Sequence, residues 1–177
     1  MIKRLSSVDK YEVTSDSYDQ LYRGEQYSKF RYIFFEKKLP IKNVILDIGC
    51  GTGLLIEFMK KHGIDFFKIY FCLEPSMNML MKVIEKGLCD ERIVLLNGYG
   101  ENLPIRDRVV DAIYLFTVWD NVEDRESLIE EVLRVLAPKG YVLISTLGKV
   151  HGPKPSDYFN GFKLIGCKID CFYLYQA

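Results

Sequence analysis

The chain reads as an α/β protein built on a doubly wound, mostly parallel sheet. Three observations predict this class. Short apolar runs alternate with segments of helical period along most of the chain. Within those runs polar and apolar residues do not alternate, which is the pattern of parallel strands covered by helices on both faces. A glycine-rich stretch, LDIGCGTG at residues 46–53, ends the first run, where a strand has to turn into a helix.

The elements follow in order. Residues 17–38, SYDQLYRGEQYSKFRYIFFEKK, are mostly helical in pattern, with Gly24 as an expected break. NVILDIG (43–49) reads as a buried strand, and LLIEFMKKHG (54–63) as a helix that stops near Gly63. KIYFCLE (68–74) is a second strand. SMNMLMKVIEKG (76–87) is a helix with Ser76 as N-cap and Gly87 at its end. RIVLLNG (92–98) and VVDAIYLFT (109–117) are the third and fourth strands. DRESLIEEVLRVLAPKG (124–140) is an amphipathic helix expected to end at Pro138, and GYVLISTL (140–147) a fifth strand. GKVHGPKPSDYFNG (148–161) is rich in Gly and Pro and predicts a loop with at most a short helix. FKLIGCKIDCFYLYQA (162–177) predicts a closing pair of strands. With no repeat or linker, residues 1–177 are expected to form one domain, a 1–43 N-terminal segment before a 44–177 core.

Composition narrows the classes. A chain of 177 residues with 49% hydrophobic content fits one folded domain rather than a disordered segment. Its 24 basic and 24 acidic residues give no global nucleic-acid signature. No apolar run approaches the roughly 18 residues of a membrane span, and the start has no apolar signal-peptide core. The expectation is a soluble, cytoplasmic protein. Five cysteines, an odd count without a CxxC pair, argue against a disulfide framework or a zinc site. No metal site is expected, and Cys72 is expected to pack as a small hydrophobe. His62 and His151 lie far apart in sequence and suggest no catalytic pairing.

A doubly wound sheet binds its ligand at the carboxyl ends of the strands, near the switch point. LDIGCGTG lies at such an end. Gly49, Gly51 and Gly53 permit unusual backbone angles and put no Cβ between backbone and ligand. Asp47 adds a carboxylate, which is a poor arrangement for phosphate. The stretch is not GxxxxGK[ST], and GCGTG has GxGxG rather than dinucleotide GxGxxG spacing. A carboxylate there suits a ligand with a cationic amine.

LDIGCGTG resembles motif I of the class I S-adenosylmethionine (SAM)-dependent methyltransferases. The resemblance spans roughly residues 18–177, with its distinctive motifs in 44–145. It implies a seven-stranded Rossmann-like sheet whose last strand is antiparallel, and SAM as cofactor, leaving as S-adenosylhomocysteine. Asp47 would hold the amino-acid end of SAM, over a loop of Gly49, Cys50, Gly51 and Gly53. Glu74 would accept bonds from the two ribose hydroxyls. LEPSMNML would then place Pro75, the Ser76 backbone and Met79 beside the adenine; the alternative for Met79 is packing within the helix. NGYGENLPIRDRVVDAIYLF resembles the family form GDAExLP followed by FD, with Gly98, Glu101, Leu103, Pro104 and Asp111 in place. Two positions depart: Tyr99 stands where an aspartate usually bonds the adenine amino group, and Gly100 replaces an alanine. The Gly100 N–H still reaches an adenine nitrogen, and Tyr99 can stack on the ring or bond through its hydroxyl. Phe116 and Thr117 would lie near the methionine part of SAM. SYDQLYRGEQYSKF resembles the helical lid of many of these enzymes. There Tyr18 or Tyr22 would reach the cofactor or line the acceptor cavity; the alternative is a helix that only covers the sheet.

This resemblance implies methyl transfer by in-line displacement, assisted mainly by positioning and exclusion of water. A general base is needed only if the acceptor must lose a proton early. Asp120 is the one catalytic candidate, set against a capping or solvent-facing role, and Trp119 is either a stacking platform or core filling. The acceptor is unidentified. The absence of [ND]PP[YF] lowers the case for base N-methylation. The expectation is a small-molecule acceptor, or a macromolecular one reached through a partner protein such as a small zinc-binding activator. Two other readings stand beside this one: a non-catalytic SAM-binding accessory or regulatory subunit, and an NAD or nucleotide-sugar enzyme, which the GxGxG spacing disfavours.

Overall fold

The computed structural model describes residues 7–148 and 152–177, with side chains from residue 17 onward. In chain order it contains α1 (Ser7–Arg31), a π-helical turn (Tyr32–Glu36), β1 (Val44–Ile48), α2 (Leu54–Lys61), β2 (Ile69–Glu74), α3 (Met77–Glu85) and β3 (Ile93–Asn97). There follow β4 (Val110–Leu115), a 3-10 turn (Trp119–Asn121), α4 (Arg125–Val135), β5 (Leu136–Leu147), α5 (Pro155–Tyr158), β6 (Lys163–Cys167) and β7 (Asp170–Gln176). One sheet holds all seven strands in the order β3-β2-β1-β4-β5-β7-β6. Strands β1 to β5 pair in parallel, and β7 runs antiparallel to both β5 and β6. The chain winds outward from β1 to β3, then returns to place β4 on the other side of β1. The switch point therefore lies between β1 and β4.

The unbroken apolar runs are explained by burial on both faces. Along β1, Ile45 packs under α1 and α2, while Leu46 and Ile48 pack into a second core with Leu128 and Val132 of α4. Along β5, Tyr141 and Leu143 join the first core, Val142 and Ile144 the second. Neither face is left for solvent, so neither half of the period-two pattern can be polar. Local signals set the helix starts. Ser76 caps α3 by accepting the Met79 N–H, and Asp124 caps α4 by accepting that of Ser127.

Three sequence expectations are corrected. Helix α1 runs through Gly24 without a break. An interior glycine costs about 1 kcal/mol, but the flanking turns are fastened: Arg23 bonds Asp19 and Glu57, and Tyr27 donates to Glu57 at 2.8 Å. Helix α4 ends at Val135, before Pro138. The carbonyls of Arg134 and Val135 accept from Arg108 and Val109, and the chain turns extended at Leu136, which is buried. Pro138 sits in the irregular start of β5, where the pairing shifts from Val110–Leu136 to Ala112–Tyr141.

The third correction concerns the cysteines. Cys50 is bonded to Cys72, and Cys167 to Cys171, leaving Cys89 free and exposed. Register places Cys72 opposite Asp47. The turn after β1 then folds back, Gly49 N and Cys50 N both donating to Leu73 O at 2.8 and 3.1 Å. That brings the Cα atoms of Cys50 and Cys72 to 5.4 Å. Cys167 and Cys171 are direct partners in the β6–β7 ladder. Replacing Cys50 and Cys72 together by alanine is expected to lower stability by about 3 kcal/mol, from the chain entropy released in the unfolded state. Urea unfolding of the variant against the oxidised parent measures it.

Candidate functional site

The carboxyl ends of β1, β2 and β4 open into one cleft with about 810 Å³ of empty space. A recess of about 340 Å³ adjoins it under α1. Between β1 and α2 the chain turns through Gly49, Gly51 and Gly53, all at positive φ (71°, 54° and 77°). At Gly49 a Cβ would lie 2.3 Å from Val118 Cγ2, so the loop after β4 closes against bare backbone. At Gly51 a Cβ would meet no atom within 4 Å; this backbone faces open space.

Asp47 is 3% exposed and lines the recess. One carboxylate oxygen accepts the hydroxyl of fully buried Tyr70 at 2.7 Å. Burial raises the Asp47 pKa from 3.8 to about 7, against the Tyr70 hydrogen bond that lowers it; the nearby Glu74 charge adds to the rise. Burial, with Asp47 beside it, raises that of Tyr70. Glu74 closes β2 on the next strand. Its oxygens accept from Gly51 N and Ser76 N, each at 3.0 Å, tying the glycine turn to the start of α3.

Most of the residues singled out in the sequence meet here. Gly49, Gly51, Glu74, Pro75 and Met79 line the main cleft, with Tyr99, Gly100, Glu101, Phe116 and Thr117. Cys50 and Asp47 line the recess. Tyr99 is 56% exposed and stands at the rim. Gly100 is constrained by packing, since a Cβ would lie 2.6 Å from Leu128 Cδ1. Tyr18, on α1, lines both spaces.

Other residues lie elsewhere. Tyr22 is exposed and packs against Tyr18 at 4.8 Å between ring centroids, outside the cleft lining. Gly53 packs on Val83 and Leu88 instead of facing the cleft. Asp120 does not line the cleft; its carboxylate accepts the Leu147 N–H at 2.9 Å. Trp119 is fully buried and donates to Pro153 O at 2.7 Å, the contact set of a core residue.

Sequence reasoning missed a buried polar cluster where α1 crosses β4, β5 and β7. Lys29 is fully buried, with Nζ 2.9 Å from Thr117 Oγ1, 2.7 Å from Glu25 and 3.1 Å from Asp170 Oδ1. Asp170, also fully buried, accepts through Oδ2 from Ser145 at 2.7 Å and Thr117 at 3.1 Å. Removing one member of such a pair costs about 3–5 kcal/mol, because the other charge stays buried. Thr117 has φ +61°, a conformation that is strained for a β-branched residue and persists only where neighbours over-determine it. The neighbours are Lys29, Gln26 and Asp170 on its hydroxyl and Ser145 on its N–H. In sequence, Gln26 and Lys29 look like the solvated face of a helix. The available signal was Asp170, an acid opening an apolar strand.

The fold and the ligand-facing strand ends define a Rossmann-like protein of the class I methyltransferase type. The profile of the methyltransferase-domain family matches residues 46–144, more than half of the chain, and the chain belongs to that family. A malonyl-[acyl-carrier protein] O-methyltransferase from Marinomonas sp. (strain MWYL1) is 27% identical over 157 residues, covering 86% of this chain and 55% of that protein. The chain spans about half the length of the relatives it matches. A Methanococcus maripaludis protein assigned to the SAM-dependent methyltransferases superposes with a TM-score of 0.78 at 17% identity, covering 99% of this chain and 96% of that one. A Haloferax volcanii protein solved in complex with the Trm112 methyltransferase activator superposes with a TM-score of 0.61 at 17% identity, covering 77% and 59%. At these identities the two structures show the shared fold.

The buried Asp47 makes a pH signature. Between pH 3.8 and about 7 the folded, ligand-free protein holds a proton that the unfolded chain has released. Stability conferred at this residue is therefore expected to fall as pH rises through that window. Urea unfolding at intervals from pH 4 to 8 tests this; Asp47→Asn should remove that part of the slope.

Proposed function

We propose that this chain is a SAM-dependent methyltransferase that passes the sulfonium methyl to an acceptor by in-line displacement. The observation that carries this reading is a pair of buried carboxylates, Asp47 and Glu74, at the ends of adjacent parallel strands on either side of a glycine turn. The lining fits that cofactor. It offers acceptor oxygens and bare backbone, and among the described lining residues no lysine or arginine opposes a cation. When bound, SAM supplies a methyl already activated by its sulfonium.

Each residue then has a task. Asp47 takes the cationic amino-acid end, and Glu74 accepts from the ribose hydroxyls. Pro75, Met79 and Gly100 would flank the adenine, with Tyr99 at the rim of the same cleft. Phe116 and Thr117 lie beside the end that carries the methyl. Tyr18, Gln26 and Phe30 of α1 line the two spaces and would exclude water, which leaves positioning as the main contribution to rate. With Asp120 committed to Leu147, the reading assigns no general base.

Among the described residues no helix is long and apolar enough to cross a membrane, and the reading places the protein in the cytoplasm. Two disulfides are uncommon in that compartment. The acceptor is either a small molecule or a macromolecule presented by a partner subunit. For the partner, the open β3 edge is the docking site we favour. Val94 is exposed there, and Met77, Met81 and Ile84 form an exposed stripe on the neighbouring α3. The activator complex of the Haloferax volcanii protein supports a small partner of this kind.

Incubation with methyl-labelled SAM and an extract of the source cells tests the activity. Label is expected in one fraction among RNA, protein and small molecules. No label, with S-adenosylhomocysteine still binding, would replace the enzyme with an accessory SAM-binding subunit. Asp47→Ala is expected to weaken S-adenosylhomocysteine binding about a hundredfold or more while the protein stays folded, since truncating one partner of a buried charge pair costs roughly 2–5 kcal/mol. Unchanged affinity would remove Asp47 from the site.

A further inference from the structure

The recess under α1 holds an acceptor atom with nothing to accept. Gln26 is 6% exposed and lines the recess together with Asp47. Its Nε2 donates to Thr117 Oγ1 at 3.3 Å, while its Oε1 is buried without a hydrogen-bond partner.

The surrounding bonds set which way this amide points. A hydroxyl has one proton to give and two lone pairs. The Thr117 proton goes to Asp170 Oδ2, and its lone pairs receive Lys29 and Gln26. The amide must therefore turn its nitrogen to Thr117 and its oxygen away. The Lys29 ammonium lies against Glu25, Thr117 and Asp170, and it makes no bond to that oxygen. Across the same recess stands the Asp47 carboxylate. An orphaned amide oxygen and a carboxylate, on two residues that line one small recess, call for a ligand group that only donates and that carries positive charge.

We propose that Gln26 Oε1 is a direct ligand of the α-ammonium of the cofactor, sharing it with Asp47, and that the buried Lys29–Asp170 pair is what aims it. Gln26 is thus a cofactor-binding residue supplied by α1, and Lys29, Asp170 and Ser145 are positioning residues that act through Thr117. Binding adds this contact to the bonds that already join α1 to the strand ends. The inference rests on the methyltransferase reading and gives the helix over the cleft a specific duty: recognition of the cofactor's amino-acid tail.

Calorimetric binding to the full chain separates this from a packing role. The probes are S-adenosylhomocysteine and its desamino analogue, in which the α-ammonium is replaced by hydrogen. Gln26→Leu is expected to lower affinity for S-adenosylhomocysteine about tenfold or more and to leave affinity for the desamino analogue unchanged, the pattern of a direct contact in a double cycle. Equal losses for both probes, or no loss for either, overturns the proposal. If Gln26→Leu does not fold, Gln26→Met, unbranched and of similar length, carries the same comparison. A wild-type chain that binds neither probe overturns the cofactor reading itself, and does so before any substitution is made.

Discussion

The hydrogen bond from Tyr70 to Asp47 is the interaction on which the site depends. It places a carboxylate at the end of a strand whose two faces are both covered, where an unsupported charge would be prohibitive. Parallel register makes the bond available: Tyr70 lies two residues before Cys72, the partner of Asp47, so both side chains leave the sheet on the same face. On the other flank of β1, Tyr114 is the register partner of Asp47, and its hydroxyl is joined to that of Tyr141, which donates to Pro40 O at 2.7 Å. These tyrosines let a polar interior exist beneath α1, each with its hydroxyl satisfied. The glycine turn then has an acid to present.

Much of the architecture was legible because its signals are local. Apolar runs such as ILDI and IYFCLE are short, bounded and non-alternating, which only doubly covered strands require. Ser76 announces α3 by its own side-chain chemistry. What sequence misread depends on distant partners. The chance that Gly24 interrupts α1 is decided by Glu57, on another helix. The end of α4 is decided by Arg108 and Val109, which take its last carbonyls. Cys50 and Cys72 lie 22 residues apart, and only the return of the chain through α2 to a neighbouring strand makes them adjacent.

The same distinction runs through the site. That Asp47, Gly49, Gly51 and Glu74 lie together was readable because a strand-to-helix turn and the next strand's end are fixed by short-range geometry. The Lys29 cluster was not. Its members come from α1, the end of β4, β5 and the first residue of β7. They meet because β7 enters the sheet between β5 and β6, against the direction of its neighbours, and so begins where the parallel strands finish. An antiparallel strand in that place delivers the start of its sequence to the ligand end of the sheet.

The covalent bond between Cys50 and Cys72 has a consequence for recognition as well as for folding. It fastens the glycine turn to a core strand, in a segment with three glycines in five residues. Freedom that a ligand would otherwise have to remove is already absent before it arrives. The turn is in this sense preorganised, and its disorder is charged to folding rather than to association. A flexible peptide composition and a rigid binding surface thus coexist in the same few residues.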